Sequence, residues 1–140
     1  MYFSNGVGNL YVADSDNQTI RRISPTGAVS TIAGQVGKQG YQDSTSGGVA
    51  LFGLPRAIAV DGAGYLYVTD TNTIRRINTS SISFPVETLA GLFTRSGYVD
   101  GLGNGALFNE LLGIAVDASG NLYLADDANK AIRLIQRALP

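Results

Sequence analysis

Short apolar runs separated by turns recur along the chain at a fixed interval. The most regular run mixes aliphatic residues with a central tyrosine and ends in aspartate. It stands at residues 9–14 (NLYVAD), 65–70 (YLYVTD) and 121–126 (NLYLAD). The equivalent tyrosines are 56 positions apart. Self-similarity at one long period indicates a repeat architecture, in which each unit packs on its neighbours.

Each repeat predicts four short β-strands. The first is a short apolar run such as residues 57–60, closed by the hairpin-forming Asp-Gly pair at 61–62. The tyrosine strand follows it. The third strand carries an apolar and basic cluster, at residues 20–23 (IRRI), 74–77 (IRRI) and 132–135 (IRLI). The fourth is richer in small polar residues, at 29–34 and 86–91. No apolar period of 3.6 residues is sustained, which argues against helices.

The tyrosine strand is apolar on both faces, so it must be covered on both sides. Small antiparallel sheets with two apolar faces are typical of propeller blades. We therefore predict an all-β fold of about three β-propeller blades, each of four antiparallel strands. The predicted units are residues 1–54, 55–111 and 112–140, the last without its outermost strand.

The glycine-rich connections between units also repeat. The motif Gly-Tyr-x-Asp at residues 40–43 returns at 97–100, and Ala-Leu-Phe at 50–52 returns at 106–108. A disordered spacer would not repeat aromatic and apolar anchors, so we expect these loops to pack on the blades.

Composition then removes several functions. The 140 residues carry 10 basic and 11 acidic side chains, a net charge of −1, and neither His nor Cys. Disulfides, cysteine-based zinc sites and His-dependent triads are therefore excluded within this sequence. The balanced charge gives no sign of nucleic-acid binding, and no apolar run is long enough to predict a membrane span.

The pattern Gly-Ile-Ala-Val-Asp…Gly-Asn-Leu-Tyr-Leu-Ala-Asp…Asn…Ile-Arg at residues 113–133 resembles the NHL-repeat β-propeller family. The Thr-Ile-Ala-Gly strand and its Gly-Tyr-x-Asp connection look most like the long NHL repeats of bacterial surface and teneurin-type proteins. The resemblance implies a ring of six blades, a binding or scaffold role and an extracellular or cell-surface location.

Three blades would be half of such a ring, with an apolar face open at each end. Exposed apolar surface costs about 25 cal/mol per Å², so either a larger propeller or a second copy should cover these faces. We favour a homodimer, in which two copies complete a six-bladed ring. A protein or glycan ligand remains open as a further partner.

Six polar residues follow the tyrosine strands, where we expect them to cap turns by binding nearby backbone N–H groups. They are Asp14, Asn17, Asp70, Asn72, Asp126 and Asn129. Repetition in every unit favours this structural role over a ligand or metal site.

A second set of residues is a candidate interaction surface, consisting of arginine pairs and loop tyrosines. These are Arg21, Arg22, Arg75, Arg76, Tyr41 and Tyr98. Some NHL propellers bind RNA on a basic face, which gives one alternative function. Neighbouring residues on a strand point to opposite sides, so one arginine of each pair is expected to pack between blades.

The resemblance also includes propeller enzymes of the lyase and lactonase types, whose sites depend on a metal held by His or clustered carboxylates. Because His is absent, we predict a noncatalytic protein without a cofactor. A carboxylate-bound divalent metal is the enzymatic alternative.

Overall fold

The computed structural model describes residues 2–4 and 8–137, with side chains from residue 8 onward. Its strands form three separate antiparallel sheets in chain order. The first sheet contains β1 (Tyr2–Ser4), β2 (Leu10–Asp14), β3 (Thr19–Ile23) and β4 (Val29–Gly34). The second contains β5 (Pro55–Val60), β6 (Tyr65–Asp70), β7 (Thr73–Asn78) and β8 (Val86–Gly91). The third contains β9 (Leu111–Val116), β10 (Leu122–Asp126) and β11 (Ala131–Ile135).

Every sheet is a simple meander in which consecutive strands pair. The register repeats: Val12 lies opposite Arg21, Val68 opposite Arg75 and Leu124 opposite Arg133. Helical structure in the described residues is limited to short 3₁₀ turns at Ser15–Asn17 and Gly103–Gly105. The predicted all-β fold of four-stranded antiparallel units is confirmed.

The sheets stack face to face, because β5 contacts β1 and β2, and β9 contacts β5 and β6. We call the face that packs on the following sheet the forward face, and the face that packs on the preceding sheet the rear face. Tyr11 and Ile20, on the forward face of the first sheet, share a core with Leu66 and Val68 on the rear face of the second. Each junction therefore joins a forward face to a rear face.

The second junction repeats this arrangement. Tyr67 and Ile74, on the forward face of the second sheet, pack with Leu122 and Leu124 on the rear face of the third. Phe108, from the connection before β9, is buried in the same core. The apolar pattern on both faces of the tyrosine strand is thus explained by burial on both sides.

The forward face of the third sheet is open in this chain. Tyr123, Ile132 and Leu134 are 43%, 75% and 51% exposed. The equivalent Ile20 and Ile74 have no exposed surface. The rear face of the first sheet is also less covered than its counterparts, since Leu10, Val12 and Ile23 are only half-buried. The stack ends in two different apolar faces.

Candidate functional site

Arg75 joins the second sheet to the connection that precedes it. Its side chain is fully buried and pairs with the equally buried Asp70 at 3.0 Å. The guanidinium also donates to the carbonyl oxygens of Leu51 and Gln42, each at 3.0 Å, and to the Asp43 carboxylate at 2.8 Å. The Phe52 ring lies beneath it, 4.9 Å from the guanidinium carbon. Every donor of this buried cation is directed at a partner.

Arg133 does the same in the third sheet. It pairs with Asp126 at 2.8 Å and with Asp100 at 2.6 Å. It donates to the carbonyl oxygens of Leu107 at 3.1 Å and Val99 at 2.9 Å. The Phe108 and Tyr98 rings lie 4.9 and 4.6 Å from its guanidinium carbon. We call each such arginine, with the connection it holds, an arginine clamp.

The sequence did not indicate that Asp43 and Asp100 bind the clamp arginines. They lie 32 and 33 residues before their partners, so no local spacing announces the contact. The signal that was present is the repeated Gly-Tyr-x-Asp motif. Its aspartate is the residue that reaches the guanidinium in both clamps.

Arg21 holds the equivalent position in the first sheet but has fewer contacts. It approaches Asp14 at 3.4 Å, and its side chain remains 31% exposed. Its Nε is enclosed by protein and has no hydrogen-bond partner within residues 8–137. This arginine is the least satisfied of the three.

The other arginine of each pair points to the forward face. Arg76 binds Glu87 through its Nε at 2.7 Å and lies over the Tyr65 ring. Arg22 lies over Phe84, 5.7 Å from the ring centre. Alternation along the strand thus separates the two members of a pair. It also corrects the assignment of Arg75 to an interaction surface, because its guanidinium is fully enclosed.

The two loop tyrosines differ in accessibility. Tyr41 stacks on Phe93 of the other connection, with ring centres 4.5 Å apart, and its hydroxyl lies 3.4 Å from that of Thr71. Tyr98 remains 62% exposed while its ring covers Arg133. Tyr98 is therefore the loop tyrosine that can meet a ligand.

Two of the three aspartates expected to cap nearby turns, Asp70 and Asp126, instead hold distant segments. Asp70 accepts N–H groups from Gly53 at 2.9 Å and Leu54 at 2.7 Å, in the preceding connection. Asp126 accepts the Asn109 N–H at 2.8 Å. Asp14 accepts the side-chain amide of Asn17 at 2.9 Å and the guanidinium of Arg21 at 3.4 Å. The connections return to the edge where these strands end, which puts distant N–H groups within reach.

Asn72 and Asn129 also make longer-range contacts than the expected turn caps, whereas Asn17 donates to the nearby Asp14 carboxylate. The Asn72 side-chain oxygen accepts the Glu110 N–H at 3.0 Å. The Asn129 amide donates to the Gly97 carbonyl at 2.9 Å and to Asp126. Local capping falls to other aspartates that precede the tyrosine strands. Asp61 accepts the Ala63 and Tyr65 N–H groups, and Asp117 those of Ser119 and Asn121.

A cleft of about 820 Å³ opens between the second and third sheets, beside the edge strand β11. Tyr67, Arg76 and Asp61 line one side, and Tyr98 and Arg137 are among the residues that complete it. The Tyr67 hydroxyl donates to Asp61 at 2.9 Å. The cleft thus combines aromatic surface with both signs of charge.

The Tyr67 hydroxyl should ionise at a higher pH than that of an ordinary tyrosine. Burial raises its pKa from 10.0 to about 12, reinforced by the hydrogen bond to Asp61 and by the negative charge of that carboxylate. When tyrosinate absorbance is followed against pH, we expect one titration step at unusually high pH. Tyr67→Phe should remove this step, and Asp61→Asn should move it to lower pH. Because the unfolded chain loses this proton first, Tyr67 should reduce stability as pH rises from about 10 towards 12.

The control is the far-ultraviolet spectrum, which must show that the chain remains folded throughout the titration. A late component of unchanged size in Tyr67→Phe would contradict the assignment.

Within residues 8–137, no group of three or more carboxylates is placed to hold a metal ion. The described chain also contains no helix of the length and apolarity that crossing a bilayer requires. Neither observation tests the prediction that the protein is noncatalytic.

Comparison with known proteins places the fold among β-rich bacterial proteins. No family model matches the chain. A protein of unknown function from Bacteroides thetaiotaomicron superposes with a TM-score of 0.81 at 28% identity, over 90% of this chain and 32% of its own. An auxiliary nutrient binding protein from Bacteroides ovatus gives 0.75 at 26% identity, over 91% and 34%. The NHL assignment stays a prediction.

One curated protein shares the sequence more closely over a short part of its length. Protein SUPPRESSOR OF QUENCHING 1, chloroplastic, from Arabidopsis thaliana is 31% identical over 133 aligned positions, covering 89% of this chain and 12% of that protein. The chain thus spans about an eighth of this relative and about a third of the similar solved structures.

Proposed function

We propose that the chain is a noncatalytic, NHL-type β-propeller segment that acts as a binding and structural module through its sheet faces and loops. The observation that carries the proposal is the open forward face of the third sheet. Ile132 is 75% exposed there, whereas Ile20 and Ile74 are fully buried by the next sheet. A side chain that is core in two repeats and bare in the third marks a surface made to be covered.

The partner that fits this face best is a second copy of the chain. Forward faces already pack on rear faces at both internal junctions. The rear face of the first sheet presents Leu10, Val12 and Ile23, which are half-buried. Two copies can therefore meet twice, forward face to rear face, and close a ring of six sheets around a twofold axis. Each large aliphatic side chain covered contributes about 1.5–3 kcal/mol.

Ile132→Lys should abolish this association. The wild-type chain is expected at twice the single-chain mass of 14.7 kDa in light scattering, and Ile132→Lys at that mass. The variant should remain folded, because Ile132 is exposed in the single chain and a charge there meets solvent.

Ile82→Lys is the matched control. Ile82 is 98% exposed and lies outside the strands, so this variant should keep the wild-type mass. A folded wild-type chain that stays at the single-chain mass at tens of micromolar would contradict self-association.

The proposed ligand site of the module is the cleft beside β11, where Tyr98 and Arg76 offer a ring and a cation. A protein or a glycan is the ligand class that such a mixture of aromatic and charged groups suits. The auxiliary nutrient binding protein with a similar fold supports a binding role over a catalytic one.

A further inference from the structure

We infer that Arg21 is the centre of an unfilled arginine clamp that binds a hairpin-like segment of the Gly-Tyr-x-Asp…Ala-Leu-Phe kind. This goes beyond the proposed self-association. It assigns the rear side of the first sheet a peptide ligand with a carboxylate, paired carbonyl groups and an aromatic ring.

The three arginines occupy one position of the repeat. Each lies on the third strand of its sheet, points to the rear face and stands opposite an aliphatic residue of the tyrosine strand. The opposing residues are Val12, Val68 and Leu124. Each arginine also approaches the aspartate that ends that strand: Asp14, Asp70 or Asp126. The scaffold of the clamp is therefore present in the first sheet.

The filled clamps define what the ligand must supply. In both, the guanidinium contacts a carboxylate, two backbone carbonyl oxygens and a phenylalanine ring of the connection. Around Arg75 these come from Asp43, Gln42, Leu51 and Phe52. Around Arg133 they come from Asp100, Val99, Leu107 and Phe108. One connection supplies all four groups each time, folded back on itself so that Gln42 pairs antiparallel with Leu51, and Val99 with Leu107.

Around Arg21 these ligand-side contacts are absent within the described residues. Its one carboxylate partner is Asp14, at the long distance of 3.4 Å, and its enclosed Nε has no acceptor. A buried N–H without an acceptor destabilises the folded chain. A segment that brings an acceptor to this group recovers that free energy.

A neighbouring asparagine also differs from its counterpart in the third sheet. Asn129 donates to the Gly97 carbonyl of its connection as well as to Asp126. Asn17 donates to Asp14. Within residues 8–137, Asn17 therefore has no equivalent of the contact that Asn129 makes with its connection.

Pairing two copies would not by itself fill this site. The connection at residues 35–54 serves Arg75 and the connection at 92–110 serves Arg133. A junction between the third sheet of one copy and the first sheet of another thus brings no third connection among the described residues. Peptide binding at Arg21 and ring closure are separate events that can be measured apart.

The test uses a synthetic peptide of residues 92–110, which contains Tyr98, Asp100 and Phe108. We expect saturable binding by fluorescence anisotropy, to the wild-type chain and to Ile132→Lys alike. In a nitrogen–proton spectrum of the arginine side chains, the Arg21 Nε–H signal should shift on binding. Arg21→Gln should weaken binding at least tenfold, and so should Asp100→Asn in the peptide.

Arg22→Gln is the matched control and should bind the peptide as the wild type does, because Arg22 points to the forward face. Melting curves of both variants establish that they are folded. Equal affinity in Arg21→Gln and Arg22→Gln would overturn the inference, as would no saturable binding up to about millimolar peptide. Binding to Ile132→Lys keeps this outcome distinct from a failure of self-association.

Discussion

Replacing Arg75 with methionine is expected to lower the free energy of unfolding by about 3–5 kcal/mol, the cost of leaving one charge of a buried pair without its partner. The change keeps an apolar stem but strands Asp70, which has no exposed surface. It also leaves the Leu51 and Gln42 carbonyl groups without their donor. Urea denaturation followed by circular dichroism measures the loss.

Arg76→Met is the matched control, one residue away on the same strand. Arg76 and its partner Glu87 are 34% and 57% exposed, and surface pairs of this kind contribute within about 1 kcal/mol. Equal losses in the two variants would show that the buried clamp does not hold the connection.

The loss of folding stability in Arg75→Met should also depend on pH. Burial raises the pKa of Asp70 even with Arg75 present, and removing the cation raises it further. A carboxyl with a raised folded-state pKa binds its proton more tightly in the folded chain. Its contribution to stability therefore grows as pH falls through that pKa. The difference in the free energy of unfolding between Arg75→Met and Arg76→Met should therefore become smaller as the pH falls.

Gly91→Ala should cost about 2–5 kcal/mol of folding stability, from a strained backbone and a steric overlap together. Gly91 ends β8 at φ +89°, where an added Cβ would overlap the Asn72 carbonyl oxygen and approach the Phe108 ring at 3.1 Å. Gly34 stands in the same position of the first sheet, with φ +88°. Thermal melting or urea denaturation measures the loss.

Gly27→Ala separates the two contributions. Gly27 has nearly the same φ, +85°, but a Cβ there has nothing within 4 Å. We expect about 1–2 kcal/mol from the backbone conformation alone. If both alanine variants lose the same amount, the close approach of the Asn72 carbonyl oxygen and the Phe108 ring to Gly91 has no energetic role.

The fold could be predicted from the sequence because each repeat contains local signals for its own strands. Alternation around Tyr67 and the turn at Asp61 are short-range signals, and the same signals recur in each unit. The period made the stacking inferable, since a strand with two apolar faces needs a sheet on each side.

The arginine clamps could not be predicted from the sequence, because they join residues that the alternation along a strand does not relate. Asp70 looked like a turn cap, yet its partners are Gly53, Leu54 and Arg75. Strand alternation predicted that one arginine of the pair Arg75 and Arg76 packs between blades, but neither which of the two nor its partners. Only the path of the connection across the rear face makes that arginine part of the interior. The accessibility of such a residue depends on tertiary routing rather than on its neighbours in sequence.

The forward-to-rear stacking bears on how proteins of this kind can vary in length. Because both internal junctions use the same pair of faces, duplicating or deleting one 56-residue unit restores a junction of the same type at the point of change. The connection travels with the unit that its arginine holds. Length can therefore change in whole steps of one repeat, with each new junction formed between the same two kinds of face.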